Sequence, residues 1–405
     1  MFEWVSAANG KTLVLLGAGA SAPSLPVSAE LTKLVIESIT EQLKDHPGYL
    51  GRAWSMVVDQ LRGTSNIEEF YSSLADVEHQ DADTTRFWVR EWAALPEVLD
   101  TDGDAVNVRQ SFGFLAGMVR SAVMSILAHG TEDVDKSYLH PLVNADLRGI
   151  VTLNYDLMVE KAATEAARPY TTGATEWDGG MRWFDDNLDE DTLRVLKVHG
   201  SLNWRETRPV IGSPLPVVAF EEVEGNGLGV GKLLKRLDEP AIFGLNGKDS
   251  PYDPYPVLRS EFGRMLDDVE LLVVVGFSFW DAHISAPIRR WLALDERRRI
   301  IVVDPYFNAS TTPIKEIVNV LCQECTIGGA PTSAVGLGID RMRVLNVTAA
   351  EGIDTLFGGA DGPGAMGGDA TKPGSVAIVR TPGEAPSLDP GPHPFGSCSG
   401  PSRRA

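Results

Sequence analysis

The stretch "RGIVTLNYDLMVEKA", residues 148–162, begins as a buried strand and ends as an amphipathic helix, with Asn154, Tyr155 and Asp156 at the junction. An amide and a carboxylate at that junction need a reason. A strand this apolar belongs to a parallel sheet covered on both faces, and ligands of such sheets bind outside the carboxyl ends of their strands. Asp156 has a second reading as the cap of the helix that follows, since Asp accepts from the unpaired amides of a helix start.

Five further runs repeat the pattern: "TLVLL" (12–16), "VLKV" (195–198), "LLVVV" (271–275), "IIVVD" (300–304) and "RVLNV" (343–347). With the first, they predict a Rossmann-like α/β fold whose parallel sheet has about six strands. After the first strand, Ser28 is placed to cap a helix carrying Leu31, Leu34, Val35, Ile39 and Leu43 at helical spacing. From about residue 50 to 147 the apolar stripes Trp54, Val57, Leu61, then Phe70 and Leu74, then Phe112, Leu115, Val119 and Val123 predict a large helical insertion. Residues 171–256 are rich in Gly, Pro, Trp and acidic residues and read as loops and short elements. One domain is expected over 1–357, then a tail over 358–405; of its 48 residues 11 are Gly and 8 are Pro, which predicts disorder.

Composition excludes several classes. The formal charge of -20 argues against direct nucleic-acid binding, which needs concentrated Lys and Arg. No uninterrupted apolar run approaches the ~18 residues of a membrane span, and the first residues lack the basic region of a secretion signal. With only Cys322, Cys325 and Cys398 there is no disulfide framework, so a cytoplasmic location is expected.

The chemistry collects at strand ends. "LVLLGAGASAP" sets Gly17, Gly19, Ala20 and Ser21 between a strand and a helix, where glycine lets backbone approach a pyrophosphate. The G-x-G-x-x-A spacing reaches Ala22, but the acidic residue that a dehydrogenase places at the end of its second strand falls inside the helix, near Glu37. A turn with no ligand remains the alternative. "VLKVHGSLNW" ends its strand in His199, Gly200 and Ser201; "LLVVVGFSFWDAHI" ends in Gly276 and Ser278, with Asp281 and His283 opening a helix; another strand ends in Asp304. Jointly they point to a nucleotide site.

In this order "GAGAS", "TLNYD", "KVHGS" and "VVVGFSFWDAHI" resemble the sirtuin-like domains, particularly the bacterial NAD-hydrolysing branch of antiphage defence, and "NIEEFYSSL" (66–74) resembles that branch's helical insertion. The resemblance implies NAD⁺ as substrate and cleavage to nicotinamide and ADP-ribose. It assigns catalysis to Asn154, His199 and Asp156: Asn154 holds the attacking water or the ribose hydroxyls, His199 is the base, and Asp156 meets the carboxamide or orients Asn154. Gly17, Ala18, Gly19 and Ser21 would cradle the pyrophosphate, Gly276 and Ser278 the second phosphate or ribose, and Asp304 the adenosine ribose. Deacylating sirtuins carry a zinc ribbon of four thiolates after the His motif. This chain has no Cys between His199 and Cys322, so no metal is expected. The alternatives are a protein deacylase or ADP-ribosyltransferase, and a non-catalytic nucleotide sensor. An unrestrained NAD hydrolase would kill its host. The resemblance therefore also implies a homo-oligomer and a separate activating protein, such as a helicase-type ATPase, a short Argonaute or another sensor.

Overall fold

The computed structural model describes residues 2–8, 10–44, 49–60, 64, 66–79, 102–177, 179–185, 188–207, 219–222, 254–308, 311–321 and 341–359. The chain divides into two units, Met1–Ala360 and Asp361–Ala405. The described residues all belong to the first. The tail from residue 360, together with Cys322, Cys325 and Cys398, lies outside them.

The strands are β1 (Thr12–Leu16), β2 (Gly149–Thr152), β3 (Tyr170–Thr171), β4 (Leu193–Lys197), β5 (Trp204–Thr207), β6 (Ala219–Glu222), β7 (Leu271–Val275), β8 (Arg299–Val303) and β9 (Met342–Leu345). Seven form one sheet in the order β3-β4-β2-β1-β7-β8-β9, and each neighbouring pair is parallel. All six runs read from the sequence are strands of this sheet. The seventh, β3, has two residues, too few to show a period. The stretch read as loops also contains the antiparallel pair of β5 and β6.

Alternation explains why the strands look uniformly apolar. Along β1, Leu13 and Leu15 join one core cluster while Val14 and Leu16 join the other, and all four are buried. The helices Tyr255–Asp267, Ala282–Leu294 and Thr312–Leu321 supply residues to the first cluster. The helices Ser28–Leu43, Ile67–His79, Asp102–Asp133 and Ala349–Phe357 supply the second.

The insertion contains the helices Tyr49–Gln60, Ile67–His79 and Asp102–Asp133. The stretch Ser111–Glu132 is long and apolar enough to cross a membrane by length and composition. On one face of it Phe112, Leu115, Val119, Val123 and Leu127 are buried in the core. Trp54 packs edge-on against Phe70, centroids 5.8 Å apart, tying two insertion helices together. Ser28 departs from its expected role. It is the first helical residue, with Val27 at the N-cap, and its hydroxyl accepts from the Ile67 amide at 3.3 Å, at the start of the helix Ile67–His79.

β1 pairs with β2 on one side and β7 on the other, so the chain works outward in one direction and then returns across β1. The carboxyl ends of β2, β1 and β7 therefore flank a topological switch point, where the flanking connections diverge and leave a crevice.

Candidate functional site at the switch point

Two strand ends are stitched together by Asn154. Its Nδ2 donates to the Gly17 carbonyl and to Ser21 Oγ, both at 3.0 Å, and its own amide donates to Thr152 Oγ1 at 3.1 Å. Ser21 Oγ in turn donates to Asp156 Oδ2 at 2.8 Å. The other oxygen, Asp156 Oδ1, accepts from the Met158 amide at 3.1 Å. One oxygen of Asp156 thus meets the first amide of the following helix, and the other meets the Ser21 hydroxyl. Ser21 and Asp156 are buried, so each lost bond would strand a polar group away from water.

The glycines answer a packing requirement. A Cβ on Gly17 would lie 2.6 Å from the Gly276 carbonyl oxygen, and one on Gly19 would lie 2.7 Å from Gly276 Cα. Gly276 has φ of +63°, and its Cβ would lie 2.3 Å from the Ala20 nitrogen. The turns after β1 and β7 are thus pressed backbone to backbone, which only glycine permits. The Gly19 amide donates to Gly276 O at 2.9 Å, Gly17 N to Val275 O at 3.0 Å and Ala20 N to Gly17 O at 2.9 Å. These three amides are committed within the protein. The Ser21 hydroxyl is committed as well, whereas Ala18, which opens the short helix Ala18–Ser21, is exposed.

His199, just beyond β4, is 2% exposed. Its Nε2 lies 2.9 Å from Nε2 of His283, in the first turn of the helix Ala282–Leu294. Tyr155 lies beside it, ring centroids 6.4 Å apart, and donates its hydroxyl to Glu68 Oε1 at 3.3 Å. Burial first, then the charges of Glu68 and Asp281, hold the Tyr155 phenol well above its ordinary titration range, so it stays a neutral donor. Glu68 lies in the "NIEEFYSSL" segment, so the insertion reaches the site.

Beneath the network sits a buried ion pair. Lys197 Nζ donates to Glu160 Oε1 at 2.7 Å and also to the Asp156 backbone carbonyl, with the side chains 0% and 5% exposed. Burial pushes the Glu160 carboxyl up, opposed by Lys197, and Glu160 Oε2 has no partner among the described residues. Tyr138 donates to the Ala20 carbonyl at 2.8 Å; its hydroxyl is raised chiefly by burial and then by Asp156.

Direct contacts thus bring together Gly17, Gly19, Ser21, Asn154, Asp156 and Gly276. His199 stands with His283. Ser278 is exposed beyond β7, and Asp304 at the end of β8 accepts from the Tyr306 amide at 2.8 Å. Among the described residues no hydrogen bond links either to the network. The sequence reading gave no role to His283, Glu68, Tyr155, Lys197 or Glu160. The "DAHI" run after a glycine-rich strand end was the available signal for His283, the "TLNYD" junction for Tyr155 and the "NIEEFYSSL" segment for Glu68; Lys197 and Glu160 had none. No group of three or more His, Cys, Asp or Glu side chains among the described residues is placed to hold a metal ion.

Fold and site define a doubly wound parallel α/β protein with a hydrogen-bonded polar network at its switch point. Residues 148–222 match the family model of the SIR2-like domain. The chain thus contains a SIR2-like segment, and that segment carries Asn154, Asp156, Lys197 and His199. A comparison with curated proteins found no match. Among solved structures, a Sir2 homologue–NAD complex is similar at 15% identity, covering 88% of this chain and 92% of that chain with a TM-score of 0.41. An ADP-ribose complex of a mutant Sir2 homologue matches at 16%, 88%, 95% and 0.42 by the same measures. A Sir2 enzyme bound to a propionylated peptide matches at 12%, 88%, 95% and 0.34. The architecture rests on the strand order above rather than on these scores.

Proposed function

We propose that the protein is an NAD⁺ glycohydrolase that yields nicotinamide and ADP-ribose. The observation that carries this reading is the hydrogen-bonded set Asn154, Ser21 and Asp156 at the switch point, of which Asn154 and Asp156 lie with His199 in the SIR2-like segment 148–222. In the reaction, water adds to the ribose carbon that bears nicotinamide as the carbon–nitrogen bond breaks, nicotinamide leaves with the bonding pair, and His199 takes the proton from the water. Asn154, held by Gly17 and Ser21, orients the water or the ribose hydroxyls, and such orientation is worth several kcal/mol of barrier, on the order of 7–11 at best. The exposed Ala18 and the Gly276–Ser278 turn face the phosphates, with Asp304 toward the adenosine ribose.

The biological role that fits is antiphage defence by NAD⁺ depletion in the cytoplasm. The enzyme would act as a homo-oligomer released from a resting state by a separate protein. The test is incubation of purified protein with NAD⁺, alone and with an acylated peptide, followed by chromatography. Nicotinamide and ADP-ribose formed without peptide support the hydrolase. Turnover only with peptide would replace it with the deacylase or transferase, and binding without turnover with the sensor.

A further inference from the structure

We infer that His283 is a positioning residue for His199, acting through the Nε2-to-Nε2 hydrogen bond that joins the ends of β4 and β7. This rests on His199 being the proton acceptor of the hydrolysis proposed above. The two nitrogens are 2.9 Å apart, and the rings lie 5.2 Å apart between centroids at an interplanar angle of 40°. His199 is 2% exposed, whereas His283 is half-buried at the opening of its helix.

An imidazole nitrogen either carries a hydrogen or presents a lone pair. The bond therefore needs one Nε2 protonated and the other bare. Two neutral rings meet that need only as opposite arrangements at Nε2, and one imidazolium with one neutral ring meets it too. Two imidazolium rings cannot, because N–H would face N–H. The pair therefore accepts one proton with the contact intact and a second only by breaking it. With His199 Nε2 donating to His283 Nε2, Nδ1 of His199 is left bare to take the proton from the attacking water, and His283 as acceptor steadies the imidazolium that results. The same logic governs histidines oriented by a second group in other hydrolytic sites.

The groups around the pair are Tyr155, whose ring lies beside His199, Glu68 bonded to Tyr155, and Asp281 and Tyr255, which act on Tyr155 electrostatically. Tyr155 is held neutral and adds no charge.

The experiment is an NMR titration of the histidine Cε1–H resonances in the full-length protein, in wild type and in His283→Phe and His283→Gln, beside the pH profile of NAD⁺ turnover. In wild type the pair should titrate in two steps separated by at least about one pH unit. In His283→Phe, His199 should titrate singly at a shifted pH, kcat should fall about ten-fold or more with KM for NAD⁺ little changed, and the acid limb of the profile should move. His283→Gln, whose amide can still bond to His199, should recover part of kcat. The double variant His199→Ala/His283→Phe should be no worse than His199→Ala. Identical titration of His199 with and without His283, or losses that multiply in the double variant, would overturn the inference. The titration needs no turnover, so it decides the coupling even if NAD⁺ proves not to be the substrate.

Discussion

The two halves of the site are held very differently. On the β1 and β2 side, Gly17, Ser21, Asn154 and Asp156 are linked by hydrogen bonds that span more than 130 residues of sequence, and the carboxylate is anchored again at its own helix start. On the β4 and β7 side, one contact between two imidazoles, whose direction depends on tautomer, joins His199 to His283. The first half is a fixed frame in which every named polar atom has its geometry set by burial and pairing. The second is built from two imidazoles, each of which can carry or release a proton. A rigid frame that orients substrate beside a protonatable pair is what water delivery at a sugar carbon requires.

The largest effects should come from removing one residue of each half. Asn154→Ala and His199→Ala should each abolish NAD⁺ turnover, by about 10²-fold or more, while far-UV circular dichroism stays native. Near-normal turnover in either would break the division of labour. Asn154→Ala should also lower stability by about 1–3 kcal/mol, because the Ser21 hydroxyl and Gly17 carbonyl lose a buried donor. His199→Ala tests the contrast if its denaturant midpoint falls less.

Next in size is the ion pair beneath the frame. Lys197→Met leaves Glu160 buried without its cation and should cost about 3–5 kcal/mol in a denaturant melt, with much of that recovered in Lys197→Met/Glu160→Leu. A free Lys197→Met substitution would show that the pair does not support Asp156. The same pair predicts a pH dependence. Burial raises the folded Glu160 above its ordinary value of 4.5, so the native state holds the proton more tightly than the unfolded chain. Its contribution is fully present below the unfolded value and is lost as pH rises through the folded one. Glu160→Gln should therefore lose less stability than wild type as pH is raised from 4.5 toward neutrality. A parallel fall in both proteins would contradict this.

The smallest effect expected is that of Tyr138→Phe, which removes the bond to the Ala20 carbonyl and the hydroxyl's contact with Ser24. It should cost about 1 kcal/mol and leave the imidazole titrations unmoved. A shift in the His199 titration would show that the two halves are coupled more tightly than their contacts indicate.

How much of this was legible in the sequence follows from what each feature depends on. Strands β1, β2, β4, β7, β8 and β9 announce themselves because burial on both faces demands unbroken apolar runs. β3 borrows its place from β4, and β5 and β6 pair within a Gly- and Trp-rich region, so neither carries a period of its own. Strand ends marked Gly17, Asn154, His199 and Gly276 one by one. What they do to each other was not legible. That Gly17 and Gly19 are glycine because Gly276 presses on them is a tertiary fact. So is the choice of Asp156, rather than solvent or phosphate, as the partner of the Ser21 hydroxyl. Lys197 stands as a lone charge in the buried strand run "VLKV", and its partner Glu160 is set only by tertiary packing.

The central claim is that this site delivers water to the ribose carbon of NAD⁺. Its most direct measurement is turnover of NAD⁺ in water enriched in oxygen-18, in the absence of any peptide, with mass spectrometry of the products. The account predicts free nicotinamide together with ADP-ribose carrying one heavy oxygen, and neither product from Asn154→Ala. ADP-ribose without the label, or product that appears only when an acylated peptide is supplied, would contradict it.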